Sequence, residues 1–476
     1  TAGVFNNTGT LTLGNGGDTF TFDDGLTATA PGTINLAATI STTGDNKSIG
    51  PASLGGATTL QSAGGNITLD TVNNGSAFTV DAAGGTVTLN GTLGGGTALT
   101  SFTLTTGGAV VLPAITTTGL LDVTAGGTIS QSGILDIGGT SDFTLTAATT
   151  DIQLASQANS FGNTITFTDN GNIRDLEIRK DAGAAAFPAL PAGPPILEDL
   201  WIIWDAGFTL PSVATTSSIR LDAGGAVTQA AGGIQTVDLL LEGSGQYTLT
   251  DGANEIDDIA ANTTAGISYT DADNLRIDTV FAVPGMTTTG NLTLSTGGAI
   301  TQTQPISAVT LTLLGGGTYT LNGANNAVTT LDVDGAVLGG NLSFRDDTGF
   351  AMTGLDAGGG DVTLITDGTV THTGGITNTG TLFLTSAGAG GTADFDLNSF
   401  ANAVTTLDAD NAGAGGIGTV EFRDDGGFDV AGIDAAGTVT LQSVGGTVTQ
   451  TGNIIAAGLE LLGAGGTFTL SDPTND

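Results

Sequence analysis

Over much of the chain, apolar residues alternate with threonine in runs of three to five positions. Thr-Val-Thr-Leu occupies 86–89 and again 438–441, Thr-Leu-Thr-Leu occupies 310–313, and Thr-Tyr-Thr-Leu occupies 318–321. A period of two built from β-branched and aromatic residues predicts short strands with one apolar face and one polar face. Gly-Gly, Asn-Gly and Asp-Gly pairs separate the runs and supply the positive φ that tight turns need. Alanine is abundant but lies beside glycine and never falls into a 3.6-residue rhythm, so helix signals are nearly absent. The pattern predicts an all-β chain.

The runs are copies of one unit. Ile219-Arg-Leu-Asp-Ala-Gly-Gly-Ala-Val-Thr-Gln229 recurs as Leu292-Thr-Leu-Ser-Thr-Gly-Gly-Ala-Ile-Thr-Gln302 and as Val362-Thr-Leu-Ile-Thr-Asp-Gly-Thr-Val-Thr-His372. Val439 to Gln450 is a further copy with one added residue, and Leu121 to Gln131 is an earlier one. These copies start 98, 73, 70 and 77 residues apart. A second block, Leu311 to Leu321, resembles Leu459 to Leu470. A third, Phe344-Arg345-Asp346-Asp347-Thr-Gly-Phe350, resembles Phe422-Arg423-Asp424-Asp425-Gly-Gly-Phe428.

Tandem sandwiches and a solenoid both use many short strands with glycine turns. Here the units abut without linkers, and equivalent strands inside them step by about twenty: Leu292, Leu311 and Leu331, or Ile67 and Val87. That step is one coil of a parallel β-helix (β-solenoid), with aliphatic residues inward and Thr and Asp outward. At ~20 residues per coil and ~4.8 Å per layer, the expectation is about 24 coils in a rod near 115 Å. The crossover preference makes it right-handed, with a ~73-residue higher-order repeat. The organisation expected is a continuous solenoid over 1–476: less regular coils in 1–57, repeats in 58–180, a Pro/Trp-containing insertion in 181–211, and the best-preserved repeats in 212–476.

Composition then narrows the function. The 476 residues hold 46 Asp and Glu against eight Lys and Arg, a net charge of −38. Phosphate-backbone binding rests on Lys and Arg, so nucleic-acid partners are excluded. No apolar stretch approaches the ~18 residues of a membrane span, so insertion is not expected. Cysteine is absent, which removes disulfides, thiolate nucleophiles and Cys-based metal sites. A long disulfide-free chain with a continuous core suits a bacterial surface protein that crosses an envelope unfolded. The chain opens Thr1-Ala2-Gly3, consistent with a mature product or a segment of something longer.

The abutting units, with Gly290-Asn-Leu-Thr-Leu-Ser-Thr-Gly-Gly-Ala-Ile-Thr-Gln302 and Thr312-Leu-Leu-Gly-Gly-Gly-Thr-Tyr-Thr-Leu-Asn322, resemble repeats of large bacterial surface proteins over roughly 58–476. They are similar to filamentous-haemagglutinin-like adhesins exported by two-partner secretion, and to giant autotransporter passengers. The resemblance implies a right-handed β-helix shaft on the extracellular bacterial surface, non-enzymatic, serving adhesion, surface coating or filament formation. Its partners would be other copies of itself, or a host or neighbouring cell surface. A head-to-tail self-polymerising fibre subunit and a carbohydrate-active β-helix enzyme are the alternatives. The departure is that no secretion or anchoring domain is recognisable at either end.

Candidate side chains follow the repeat. His372, the only histidine, fills the slot held by Gln131, Gln229, Gln302 and Gln450. A slot that takes Gln four times in five reads as a polar corner or side-chain hydrogen bond rather than a catalytic base. Arg345 and Arg423 read as pairing with neighbouring Asp in a turn, because active sites are singular and this motif is periodic. Calcium is the one cofactor considered, with Asp346, Asp347, Asp424 and Asp425 as its candidate oxygen ligands. The nonapeptide calcium-roll motif itself is not matched.

The periodicity breaks once. The segment 181–211 stretches one repeat to 98 residues, carries five of eleven prolines, and holds both tryptophans. Phe208, Pro211 and Ile219 precede Phe281, Pro284 and Leu292 by 73 residues, which places the extra material near 181–200. Insertions on solenoids map to loops on one face, where binding features collect. Phe187, Leu190, Ile196, Leu197, Trp201 and Trp204 are therefore the contact candidates. The alternative is a loop folded over the coils, with Trp204 filling the core slot of Ile277.

Overall fold

The computed structural model describes residues 2–168, 171–191, 197–333, 338–377, 379–388, 392–410 and 416–476. Among them the regular elements are strands, with no helix. The strands stack parallel as a β-solenoid whose partners lie about 20 residues apart in the chain. Phe102 sits over Leu121, 19 residues on, and Ile267 over Leu292, 25 residues on. The chain divides into two compact units, Thr1–Gly225 and Ala226–Asp476.

In the first unit a coil has three sides. Leu121–Ala125, Ile129–Gln131 and Leu135–Ile137 make one coil. They lie on Ser101–Thr106, Val110–Leu112 and Ile115–Thr117, and beneath Ser141–Leu145, Thr150–Leu154 and Ser160–Phe161. The alternation read from sequence sets the faces: Leu121, Val123 and Ala125 are buried, while Asp122 and Thr124 point outward. Equal faces then stack into inward rows such as Leu104, Val123, Phe143 and Phe167. The rings of Phe143 and Phe167 lie 6.0 Å apart in that row. At the corners the backbones nearly touch. A Cβ at Gly126 would lie 2.2 Å from the Gly107 carbonyl oxygen of the preceding coil, so a side chain there would force the coils apart.

The second unit repeats this plan. Tyr247, Ile267, Leu292, Leu311 and Leu331 form one buried row, which contains the twentyfold step expected of the leucines. Ile300, Tyr319, Leu342, Val362, Leu382, Leu407 and Val430 form another row. Several strands here run through a corner without breaking. In Ile306–Leu314, Ile306 and Ala308 are buried, Val309 is exposed at the bend, and Leu311 and Leu313 are buried again.

Two departures from the periodic reading stand out. The insertion ends earlier than the 73-residue alignment implies: the strand Leu197–Trp204 pairs in register with Ile173–Lys180, so Leu200 sits over Leu176 and Ile202 over Ile178. The second departure is at Phe281. Its sequence counterpart Phe208 is buried in Phe208–Leu210, but Phe281 is 54% exposed. Thr279–Val280 and Val283–Pro284 pair antiparallel as a hairpin with Phe281 and Ala282 at its tip. Val280 and Val283 pack on Leu240 and Ala260 from outside the coil and form a small satellite core. The tip residues take φ of 48° and 66°. Two-residue hairpins need that left-handed backbone and normally recruit Asn or Gly for it. Side chains with a Cβ carry a cost there of about 1–2 kcal/mol each.

Two inward positions, Lys47 and Lys180, are lysines. Lys47 stands in the row between Leu26 and Ile67 and is 1% exposed. Its Nζ donates to Thr42 Oγ1 at 2.9 Å and to the Gln61 carbonyl. Burial pushes its pKa down from 10.5 to about 8. Between those values the unfolded chain holds the proton that the folded chain has released, so stability rises with pH across that window. Lys47→Met is therefore expected to stabilise the fold by about 1–3 kcal/mol at pH 7. The gain should shrink as pH climbs from about 8 toward 10, as urea unfolding at a series of pH values would show.

Candidate functional site

The two Phe-Arg-Asp-Asp blocks fold into the same turn. Arg345 makes a two-pronged contact with Asp347 at 2.7 and 2.9 Å, and Arg423 makes the same contact with Asp425 at 3.0 and 2.9 Å. The Arg423 bond holds the Asp425 carboxyl below its ordinary pKa. The flanking rings meet edge-on at 5.0 Å in both copies, Phe344 with Phe350 and Phe422 with Phe428. Gly349 and Gly427 close the turns at φ of 88° and 87°, each within 2.4 Å of a carbonyl oxygen if given a Cβ. Neighbour pairing of the two arginines, read from their periodicity, is what the geometry shows.

The other aspartates of the blocks are buried and accept from N–H groups. Asp346 takes Val328 N–H at 2.7 Å and Thr348 N–H at 2.9 Å. Asp424 takes Val404 N–H and Gly426 N–H, both at 2.8 Å, and Gly427 N–H at 3.1 Å. Burial raises the Asp424 carboxyl, and those three amides oppose the rise. The four calcium candidates thus have their oxygens turned toward protein donors. No group of three His, Asp or Glu able to hold a metal ion occurs among the described residues.

A second polar corner recurs beside each turn, and it explains the Gln slot. Gln131 Nε2 donates to Asn159 Oδ1 at 2.8 Å, and Gln302 Nε2 to Asn326 Oδ1 at 2.6 Å. Gln229 pairs with Asn254 and Gln450 with Asn475. The asparagine does more than pair. Asn326 Oδ1 accepts Ile306 N–H at 2.8 Å, and its Nδ2 donates to the Leu321 carbonyl at 3.1 Å and the Arg345 carbonyl at 2.9 Å. Those groups belong to three successive coils. Asn159 bonds Leu135, Leu154 and Arg179 in the same way, and Asn254 bonds Ile234, Leu249 and Thr270. Each of these buried side chains is a peptide-like clamp across the stack.

His372 occupies the Gln position of its repeat and is 4% exposed. Its Nε2 accepts Phe400 N–H at 3.3 Å, and the Phe400 ring stands edge-on at 5.6 Å. Asn402 keeps its three-coil bonds to Ile376, Leu397 and Arg423. Burial lowers the imidazole pKa, against the opposing pull of the Gly374 carbonyl and the Asp396 charge.

The insertion splits between core and surface. Phe187 stacks on Phe208 at 4.3 Å and meets Trp204 edge-on at 5.3 Å. Trp204 and Leu197 are both 2% exposed, so these candidates fill the coil interior. Trp201 points outward on the same strand, half-buried, with the Arg220 guanidinium 4.3 Å above its ring. Leu190 is half-buried beside a cavity that lies between Ala186–Leu190 and the strand Ile165–Thr168. Ile196 lies outside the described residues. Lys180 is buried here, 5.0 Å from the Trp204 ring, and pairs with Asp205.

The asparagines escaped the sequence reading, although the signal was present. Asn159, Asn254, Asn326 and Asn402 each stand two residues before an apolar residue (Phe161, Ile256, Val328, Val404). Their spacing copies that of the Gln slot. Asparagine beside Ser, Glu or Ala in a glycine-rich chain reads as turn chemistry, which concealed it.

Three segments, 99–168, 264–334 and 417–476, match a family described as repeats of unknown function (DUF5649). Each contains one Gln–Asn pair: Gln131 with Asn159, Gln302 with Asn326, Gln450 with Asn475. No curated protein and no solved structure matches the chain.

Asn326→Ala takes the acceptor from a buried N–H and a side-chain donor from the Leu321 and Arg345 carbonyls, the latter keeping the residue-326 N–H, and is expected to cost about 2 kcal/mol or more in urea unfolding, with faster amide exchange at Ile306. His372→Gln replaces a buried imidazole whose Nε2 accepts an N–H and whose pKa is lowered by burial. The wild type loses stability as pH falls through about 6.5 because the unfolded chain protonates first. The variant should lose less over that range, read as a flatter dependence of unfolding midpoint on pH.

Proposed function

We propose that the chain is the structural shaft of a bacterial surface protein, acting by its length and stiffness and not by chemistry at a single centre. The observation that carries this reading is the periodic use of polar groups. The asparagine clamps recur from repeat to repeat and hold coil to coil, and the Arg–Asp turn returns in the two Phe-Arg-Asp-Asp blocks. Side chains of the kinds that do chemistry elsewhere are in this way engaged in joining layers. The resemblance of the repeats to haemagglutinin-like and autotransporter passengers supports an extracellular position. A Thr- and Asp-rich exterior with few cations supports a shaft that stays solvated and resists sticking to its neighbours.

Electron microscopy of the purified chain is expected to show uniform thin rods. Removing residues 292–361, one repeat that begins and ends at equivalent positions, should shorten them by about 17 Å. Globular particles, or a deletion without effect on length, would overturn the shaft. On intact cells of the source, antibody labelling is expected without lysis, whereas labelling only after lysis would overturn the surface position.

A further inference from the structure

The strained hairpin tip and the cavity beside the insertion are complementary in chemistry and size. Phe281 is 54% exposed at the end of an antiparallel hairpin, and its backbone is left-handed although its side chain is bulky. A bulky aromatic held in that conformation and turned to solvent marks a position retained for something other than the fold. From Thr279 to Met286 the chain carries no charge.

The cavity has a volume of about 240 Å3 and is lined by Ile165, Phe167, Phe187, Pro188 and Leu190, with small residues at its rim. No charged residue lines it. An apolar cavity of about 150 Å3 already accommodates a benzene ring. The strand Ile165–Thr168 ends its sheet among the described strands, so the segment Ala186–Leu190, which is not a strand, forms the other wall. The chain is uncharged from Ala182 to Leu197.

We infer that Phe281 of one molecule seats in the Phe167–Phe187–Leu190 cavity of a second copy of this chain. Charge selects that occupant. Two copies at −38 each repel over most of their surfaces, and an uncharged knob with an uncharged socket lets them touch without pressing carboxylates together. Knob and socket are different surfaces, so the contact is heterologous and leaves one of each unused at the ends of every open assembly. Because the bond is apolar and the background is repulsive, salt strengthens the association by screening. The contact stands apart from the shaft reading: rods that do not associate would leave that reading intact.

The test uses two variants of the full chain in sedimentation velocity. Phe281→Asn removes the knob and eases the backbone, so its melting temperature should hold or rise. Ala189→Arg, at an exposed rim position, obstructs the socket. The wild type is expected to associate with rising concentration, more strongly at high ionic strength. Each variant alone should associate at least roughly tenfold more weakly. Mixed in equal amounts, the variants offer one intact knob and one intact socket, and should form dimers and nothing larger. A wild type that stays monomeric at high salt would overturn the proposal, as would Phe281→Asn associating like wild type or a mixture that remains monomeric.

Discussion

Every coil must satisfy its backbone N–H and C=O groups on the coils before and after it, and the rest of the structure follows from that demand. Parallel ladders need equal strands at equal intervals, so the chain keeps a step near twenty residues over hundreds of positions. Rows of like residues result, because register repeats whatever the alternation provides. Where the backbone turns a corner the ladder is interrupted, and buried peptide groups would be orphaned. The asparagine clamps stand at those corners and supply one acceptor and two donors that a strand would have supplied.

Charge follows the same economy of position. Arg174, Arg179, Lys180, Arg276, Arg345 and Arg423 form ion pairs. Arg220 lies over Trp201. The cations therefore serve turns and neighbouring coils, and most of the 46 carboxylates stay outside the buried interior. Stacking like on like has its own cost. Asp122 lies directly beneath Asp142, and burial together with that neighbour raises its carboxyl pKa.

The solenoid was legible because its signal is redundant. Leu292, Leu311 and Leu331 each announce the same row, and a misread strand would have been corrected by its neighbours. Rows of that kind are fixed by alternation and spacing, which a sequence displays directly. The clamps were half legible. The Gln slot was visible as a polar corner, but its partner lies about 25 residues downstream, and only the fold brings Asn326 to Gln302. The hairpin at Phe281 was not legible at all. By spacing it aligns with Phe208, and nothing in a 73-residue period distinguishes a buried strand from a turn that has been pushed outward. The aromatic residues of the 181–211 segment divide inward and outward by strand parity, and parity depends on where Leu197–Trp204 begins. One slot shows how loosely side-chain identity is held. Directly after the carbonyl that each asparagine grips come Lys180, Asp271, Asp346 and Asp424, all buried, with opposite charges answered by different partners.

A clamp that straddles three layers also constrains how such a chain can change its length. Excising one coil would cut through a clamp and strand its donors and acceptors, whereas excising a whole block leaves an identical seam. Growth and shrinkage by recombination are then quantised: the allowed step is the block that carries a complete clamp, near 73 residues, and not the coil of about twenty. A protein built this way is a ruler graduated in repeats, and its descendants should differ in reach by whole divisions.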